Sequence, residues 1–425
     1  MKNKRSITLL LSANIVSGFA QGISMLAIPW YFTGIAGKAS LFATIYAIST
    51  FASLFWNLYA GTLIDRFPRK KIFIYVGLVC GLILTAASVA GYFIDGIMLW
   101  LAGLVFVTTM FNYNIHFGTL YAFGQELTEP SRYGKISSYL EIQNQATSVL
   151  SGTFAAFLMT GIEPGKSINL AGFVISFPFS FQKWEMEDIF ALNAVTYFAA
   201  ILLVSLIRYQ PPKREYIDTG SIFKRLSAGI EYLRKNPALF AFGNYSFSIF
   251  VVLMVQVFML LPLYVSNHLE RDTDVFASAE IYYSLGAMIA GMFVRRVFAG
   301  FRIIDSVITL MFITTAVFLL AAFTKSVAIC YFFSFAIGIT NAGARVLRTT
   351  WLFTHISNDI IGRTNGVFNV INIFLRSLFL LLFSLAWFSR DSNVTWAYVI
   401  CGIFVMLSGL LLLRSRSRLE SINQG

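Results

Sequence analysis

The sequence predicts an all-α membrane protein with twelve transmembrane helices in two pseudo-symmetric six-helix bundles, on three observations: composition, block length and an internal repeat. Of 425 residues, 57% are hydrophobic and only 12% charged, whereas soluble domains carry about 25% charged residues. The apolar residues fall in blocks of about 20, enough for a helix to cross a hydrocarbon core roughly 30 Å thick, and not in the alternating blocks of about ten that build membrane barrels. A shift of roughly 230 residues then brings landmarks of the first half onto the second, as duplicated architecture does.

In order, the spans are 7–32, 40–63, 72–94, 97–124, 136–160, 188–208, 239–266, 276–298, 303–324, 327–354, 364–388 and 393–413. The chain therefore divides into an N-terminal bundle, 1–208, a linker, 209–238, and a C-terminal bundle, 239–425. The linker holds Pro211-Pro212 and an amphipathic stretch, Ile222 to Leu233, read as a surface helix. The connection from Gly161 to Glu187 is long and apolar, an interfacial hairpin, a lid over the cavity mouth or a segment packed on the membrane surface. The first span runs long enough to cross and lacks a small-residue exit site, so no cleavable signal is expected. Cys80, Cys330 and Cys401 lie scattered within spans, as packing residues do. His116, His268 and His355 are equally dispersed. Neither set has metal-ligand spacing, and no nucleophile with its base stands out, which argues against an enzyme and requires no cofactor.

The net charge of +12 could mean nucleic acid, but its distribution is topological. Of the 32 lysines and arginines, 23 fall at the termini and in alternate loops, 6 in the opposite loops, and 3 within spans. Positive loops stay inside, so both termini and the linker are expected in the cytoplasm.

In the repeat, Asn14 meets Asn244, and Ile28-Pro29-Trp30-Tyr31 meets Leu261-Pro262-Leu263-Tyr264. The segment from Gly61 to Arg66 meets the segment from Gly291 to Arg296, and Arg132-Tyr133-Gly134 meets Arg363-Thr364-Asn365-Gly366 with one extra residue. Two halves of this kind, related by an axis along the membrane normal, bind ligand near the midplane and rock to expose it alternately. The run Gly61-Thr62-Leu63-Ile64-Asp65-Arg66-Phe67-Pro68-Arg69-Lys70-Lys71 resembles the signature loop of the major facilitator superfamily. It departs at Pro68, where the family has glycine, and Arg295 replaces the acid in the second copy. The segments Leu226 to Pro237 and Ile361 to Asn369 are similar to those of its bacterial drug and macrolide efflux group, which includes siderophore exporters.

The resemblance implies a conformational latch: Asp65 facing the N-terminus of the eleventh helix, Arg69 paired with Glu126, and Arg132 beside them. A carboxylate near a helix N-terminus gains about 0.3–1 kcal/mol. It also implies a bacterial inner membrane, a monomer, proton antiport and outer scaffold helices at every third position, which fits the nearly apolar third, sixth, ninth and twelfth spans.

Polar side chains in membrane helices mark candidate solute contacts. The eleventh span carries Asn365, Asn369, Asn372 and Arg376 at helical spacing, and the tenth Asn341, Arg345 and Arg348. The fifth has Glu141 and Asn144, the fourth Asn112 and His116, the first Asn14 and Gln21, the seventh Asn244 and Gln256. Asparagine also joins helices by hydrogen bonds of about 0.6 kcal/mol, so each has a structural alternative. Arginine costs roughly 2.5–3.5 kcal/mol at the bilayer centre. Glu141, the acid read as deep in a span, neutralises one arginine of three, leaving the others to water, carbonyls or an anionic solute. Glu141 and His116 are the candidates for proton coupling. With no Gly-x-x-x-x-Gly-Lys loop, ATP is not the expected energy source. The expected activity is secondary export of a small drug-like or siderophore-like solute, with the arginines favouring an anionic one, and with organic-anion import or exchange and lipid translocation as rivals.

Overall fold

The computed structural model describes residues 4–129, 133–161, 167–170, 173–176, 180–210, 222–356 and 358–422. The first half holds α1 (Lys4–Trp30), α2 (Ala39–Arg66), α3 (Arg69–Ile94), α4 (Leu99–Glu126), α5 (Tyr133–Thr160) and α6 (Met186–Ser205). After α7 (Ile222–Lys235) come α8 (Pro237–Ser246), α9 (Ser248–Val255) and α10 (Leu261–Leu263), then α11 (Thr273–Val297), α12 (Ile303–Ala322), α13 (Val327–His355), α14 (Asn358–Phe383), α15 (Val394–Arg414) and α16 (Arg416–Ile422). Among the described residues, ten helical stretches are long and apolar enough to cross a membrane; α4 and α5, each 28 residues, stand at the expected fourth and fifth spans. One departure from an all-helical chain lies in the connection before α6. There β1 (Ser167–Leu170) and β2 (Phe173–Ser176) form a short antiparallel hairpin, with Ser167 opposite Ser176.

The repeat read in the sequence is a repeat of packing. In the first half α1 packs on α4, α5 and α6, and α3 packs on α4 and α6. In the second, α9 packs on α13, α14 and α15, and α12 on α13 and α15. The two proline landmarks have the same local consequence. Proline supplies no N–H and crowds the preceding turn, and two residues after each one the helix widens into a π turn, Tyr31–Ile35 after Pro29 and Tyr264–His268 after Pro262. Each tyrosine then ties the widened end to a neighbouring loop. The Tyr31 hydroxyl donates to the Ile97 carbonyl at 2.6 Å, just before α4. The Tyr264 hydroxyl donates to the Ala321 and Thr324 carbonyls at 2.8 and 3.1 Å, just before α13.

The seventh span is not the continuous helix expected. It breaks at Phe247, and a π turn at Gln256–Leu260 has no counterpart in α1.

Two compact units emerge: Met1–Gly37 with Ala52–Asp218, and Lys38–Phe51 with Thr219–Gly425. The first part of α2 thus belongs with the second unit. There the Tyr46 hydroxyl donates to the Met254 carbonyl at 3.0 Å, and its ring meets Phe258 edge-on.

The amphipathic linker stretch is the helix α7, and it packs on α14 and α8. Leu233 is buried, and the close approach occurs at Gly229, where an added Cβ would lie 2.5 Å from the Arg363 carbonyl oxygen and 3.0 Å from Val367. The two segments that resemble the efflux group therefore touch each other. Because backbone cannot yield as a side chain can, Gly229→Val is expected to lift α7 off α14, at about 1–3 kcal/mol for overpacking. Faster hydrogen exchange over Ile222–Lys235, with unchanged exchange in α12 and α15, would register it.

Candidate functional site

In the first unit the polar residues of α1, α4 and α5 form a chain. Asn14 donates from Nδ2 to Asn144 Oδ1 at 3.3 Å, and its own Oδ1 lies 2.8 Å from His116 Nε2. An amide oxygen only accepts, so this His116 nitrogen carries the proton. Phe73 meets the His116 ring edge-on at 5.0 Å. Asn112 donates to the Tyr197 hydroxyl at 2.6 Å. His116, Phe73, Asn112 and Tyr197 line a cavity of about 30 Å³ between α1, α3, α4 and α6, with Ser17 and Thr119, whose buried hydroxyl has no partner among the described residues. That volume suits about two waters, not an organic solute. Gln21 is also buried, its Nε2 without an acceptor among the described residues.

The second unit separates the three arginines. Arg348 is buried; it donates to the Ser246 carbonyl at 3.0 Å, and its guanidinium carbon lies 3.6 Å from the centre of the Phe247 ring. The helix break at Phe247 frees that carbonyl, so hydrogen bond and cation–π contact together account for the charge structurally. Arg345 is exposed and engaged with other groups. Arg376 is half-buried, its Nε fully enclosed and without an acceptor among the described residues. One turn earlier on α14, Asn372 is 3% exposed and its Nδ2 likewise has no acceptor among them. The charge of Arg376 reaches Tyr46. Donors that lack acceptors in one place ask for an oxyanion or water.

The other candidates are dispersed. Asn341 donates to the Tyr283 hydroxyl at 3.2 Å. Gln256 is buried and opens the extra π turn. Asn244 is half-buried, and Asn369 is exposed. The side chains of Asp65 and Glu141, and all of Arg132, lie outside the described residues.

Around the signature loop, Arg69 Nε stands 3.6 Å from Glu126 Oε1, with both side chains largely buried. Glu126 also accepts a hydrogen bond from Tyr209. Burial, then this contact, raises the Tyr209 pKa above its ordinary value, so the phenol remains a donor. Lys70 Nζ donates to the Ser205 and Ile207 carbonyls at 2.8 and 2.9 Å, a cation on the last turn of α6. In the second unit, Arg416 and Asp305 pair at 2.9 Å.

Glu280 lies inside the eighth span, so Glu141 is not the single deep acid, and Glu280 Oε1 is buried with no partner among the described residues. Its position inside an apolar block was the available signal.

Comparison with known proteins places this architecture. Macrolide efflux protein A of Streptococcus pyogenes is 20% identical over 279 residues, 65% of this chain; the match spans 63% of that relative's length. The solved nucleoside transporter NupG superposes with a TM-score of 0.73 at 12% identity, over 97% of this chain and all of the other. A bacterial homologue of the human lysosomal transporter Spinster, inward-facing and unoccupied, gives 0.71 at 12% identity, over 98% of each. At such identities the structural likeness speaks for the fold alone. The profile of the Major Facilitator Superfamily matches residues 10–380, most of the chain. This membrane-embedded, multi-pass protein therefore belongs to the Major Facilitator Superfamily.

Proposed function

We propose that this protein exports a small organic solute bearing an acidic group, by alternating access and in exchange for protons, from a bacterial cytoplasm through the inner membrane. The observation that carries the acidic preference is the pair of donors on α14, Asn372 Nδ2 and Arg376 Nε, enclosed and without acceptors among the described residues. A guanidinium fork matches carboxylate and phosphate geometry, and its enclosure favours a ligand charge over none. Export draws its support from the efflux relative. In this reading Arg376, Asn372 and Gln256 contact solute, Arg345 attracts it, and Arg348 holds the broken seventh span in shape. His116 with Asn14 and Asn144, together with Glu141, serves proton coupling. Asp65, Arg69, Glu126 and Arg132 form the latch.

Everted membrane vesicles carrying the protein should accumulate a radiolabelled carboxylate siderophore when an acid-inside gradient is imposed. Accumulation restricted to right-side-out vesicles would overturn export and leave organic-anion import. Flip of labelled lysolipid in liposomes, with no siderophore uptake, would point to translocation instead.

A further inference from the structure

Glu280 stands on a face of α11 that is defined by its contacts. Phe276, Glu280, Tyr283, Ala287 and Ala290 recur at steps of four and three, one helical stripe. Tyr283 and Ala287 lie against Gly338 of α13, and Ala287 and Ala290 cluster with Ala342. The stripe therefore faces α13. Gly286 against Phe335 and Ile339, with Tyr283 against Gly338, sets a register in which Glu280 is level with the stretch around Ser334. Ser334 shares the α13 face of Gly338 and Asn341, and its hydroxyl is also buried without a partner among the described residues.

Among the described residues, no countercharge meets this acid. α13, the principal neighbour of α11, has no Asp, Glu, Lys, Arg or His before Arg345. Its titratable groups at this level are Cys330, which is buried, and Tyr331, stacked on Tyr282 and bonded to Ser278. On α11 itself the nearest charges along the chain are Asp274, before Glu280, and Arg295 and Arg296, about four turns after it. The acid sits seven residues inside the helix start at Thr273, about 10 Å of rise. An ionisable side chain at such a place is a candidate functional group by default. Its enclosed oxygen needs either a proton of its own or a donor that another conformation supplies.

We infer that Glu280, in the α11–α13 interface, is a proton-binding group that couples proton entry to solute exit. This rests on the transporter reading above. The carboxylate takes one proton from the outer aqueous phase in the state that releases solute, and gives it to the cytoplasm before solute rebinds; no bond to the solute forms or breaks.

The test uses purified full-length protein. In pH-difference infrared spectra, wild type should show a carboxylic-acid carbonyl band that titrates and is missing from Glu280→Gln, with circular dichroism unchanged. In proteoliposomes with the radiolabelled carboxylate siderophore, Glu280→Gln should lose uptake driven by a pH gradient while keeping solute–solute exchange. Identical infrared differences in the two proteins, or gradient-driven uptake retained by the variant, overturn the inference. Should Glu280→Gln fail to fold, Glu280→Asp replaces it, expected to retain a titrating band at shifted frequency; an unshifted band overturns the assignment. Wild type that neither takes up nor exchanges the siderophore defeats the proposed substrate, while the infrared comparison still decides the proton site.

Discussion

Arg376→Ala is expected to weaken binding of acidic solutes by about 10- to 150-fold, the range of a charge-assisted hydrogen bond worth roughly 1.5–3 kcal/mol. Folding should survive, because the enclosed Nε of Arg376 gives up no partner among the described residues. Arg376→Lys should recover only part of the loss, since an ammonium keeps the charge but not the planar fork. Arg348→Ala should behave in the opposite way. It strands the Ser246 carbonyl and removes the cation over Phe247, so the protein loses thermal stability, and solute affinity per folded molecule changes little. Melting curves and binding isotherms of the two variants, taken side by side, separate the roles.

Gly338→Val is expected to give the largest loss of folded protein. A Cβ there overlaps the Tyr283 carbonyl oxygen and lies 2.9 Å from the Ala287 nitrogen, and the reciprocal position, Gly286, faces the Phe335 carbonyl and the Ile339 nitrogen. The obstacles are backbone atoms on both sides, so no rotamer change relieves them; α11 and α13 must separate. Close approach through small residues is what holds membrane helices together, because lipid provides no hydrophobic drive between them. Overpacking costs about 1–3 kcal/mol where side chains can shift, and more is expected against backbone. Size-exclusion chromatography should show aggregated or missing Gly338→Val protein. Gly291→Ala, where the added Cβ meets nothing within 4 Å, should elute as wild type.

Much of the fold was legible because membrane helices answer to length and composition. The two proline–tyrosine landmarks were equally readable, since proline acts locally and each tyrosine follows it by two residues. The break at Phe247 was not: no proline or glycine marks it, and it is stabilised from another helix by Arg348. The same limit applied to the arginines. Spacing identified all three but could not separate Arg348, which has a carbonyl and an aromatic ring, from Arg376, whose surroundings come from residues far away in sequence. The division of α2 after Phe51 also depends on distant partners such as Met254 and Phe258. Glu280 differs again: it is a lone acid in an apolar stretch and belongs to no stripe of asparagines or arginines.

Solute recognition, as proposed, turns on the enclosed donors of Arg376 and Asn372 meeting an oxyanion. Thermal stabilisation of the purified protein by a carboxylate siderophore, measured for wild type and Arg376→Ala, addresses it most directly. A rise in melting temperature for wild type that vanishes in the variant is the predicted result; equal rises in both, or stabilisation by neutral macrolides and lysolipids alone, would contradict it.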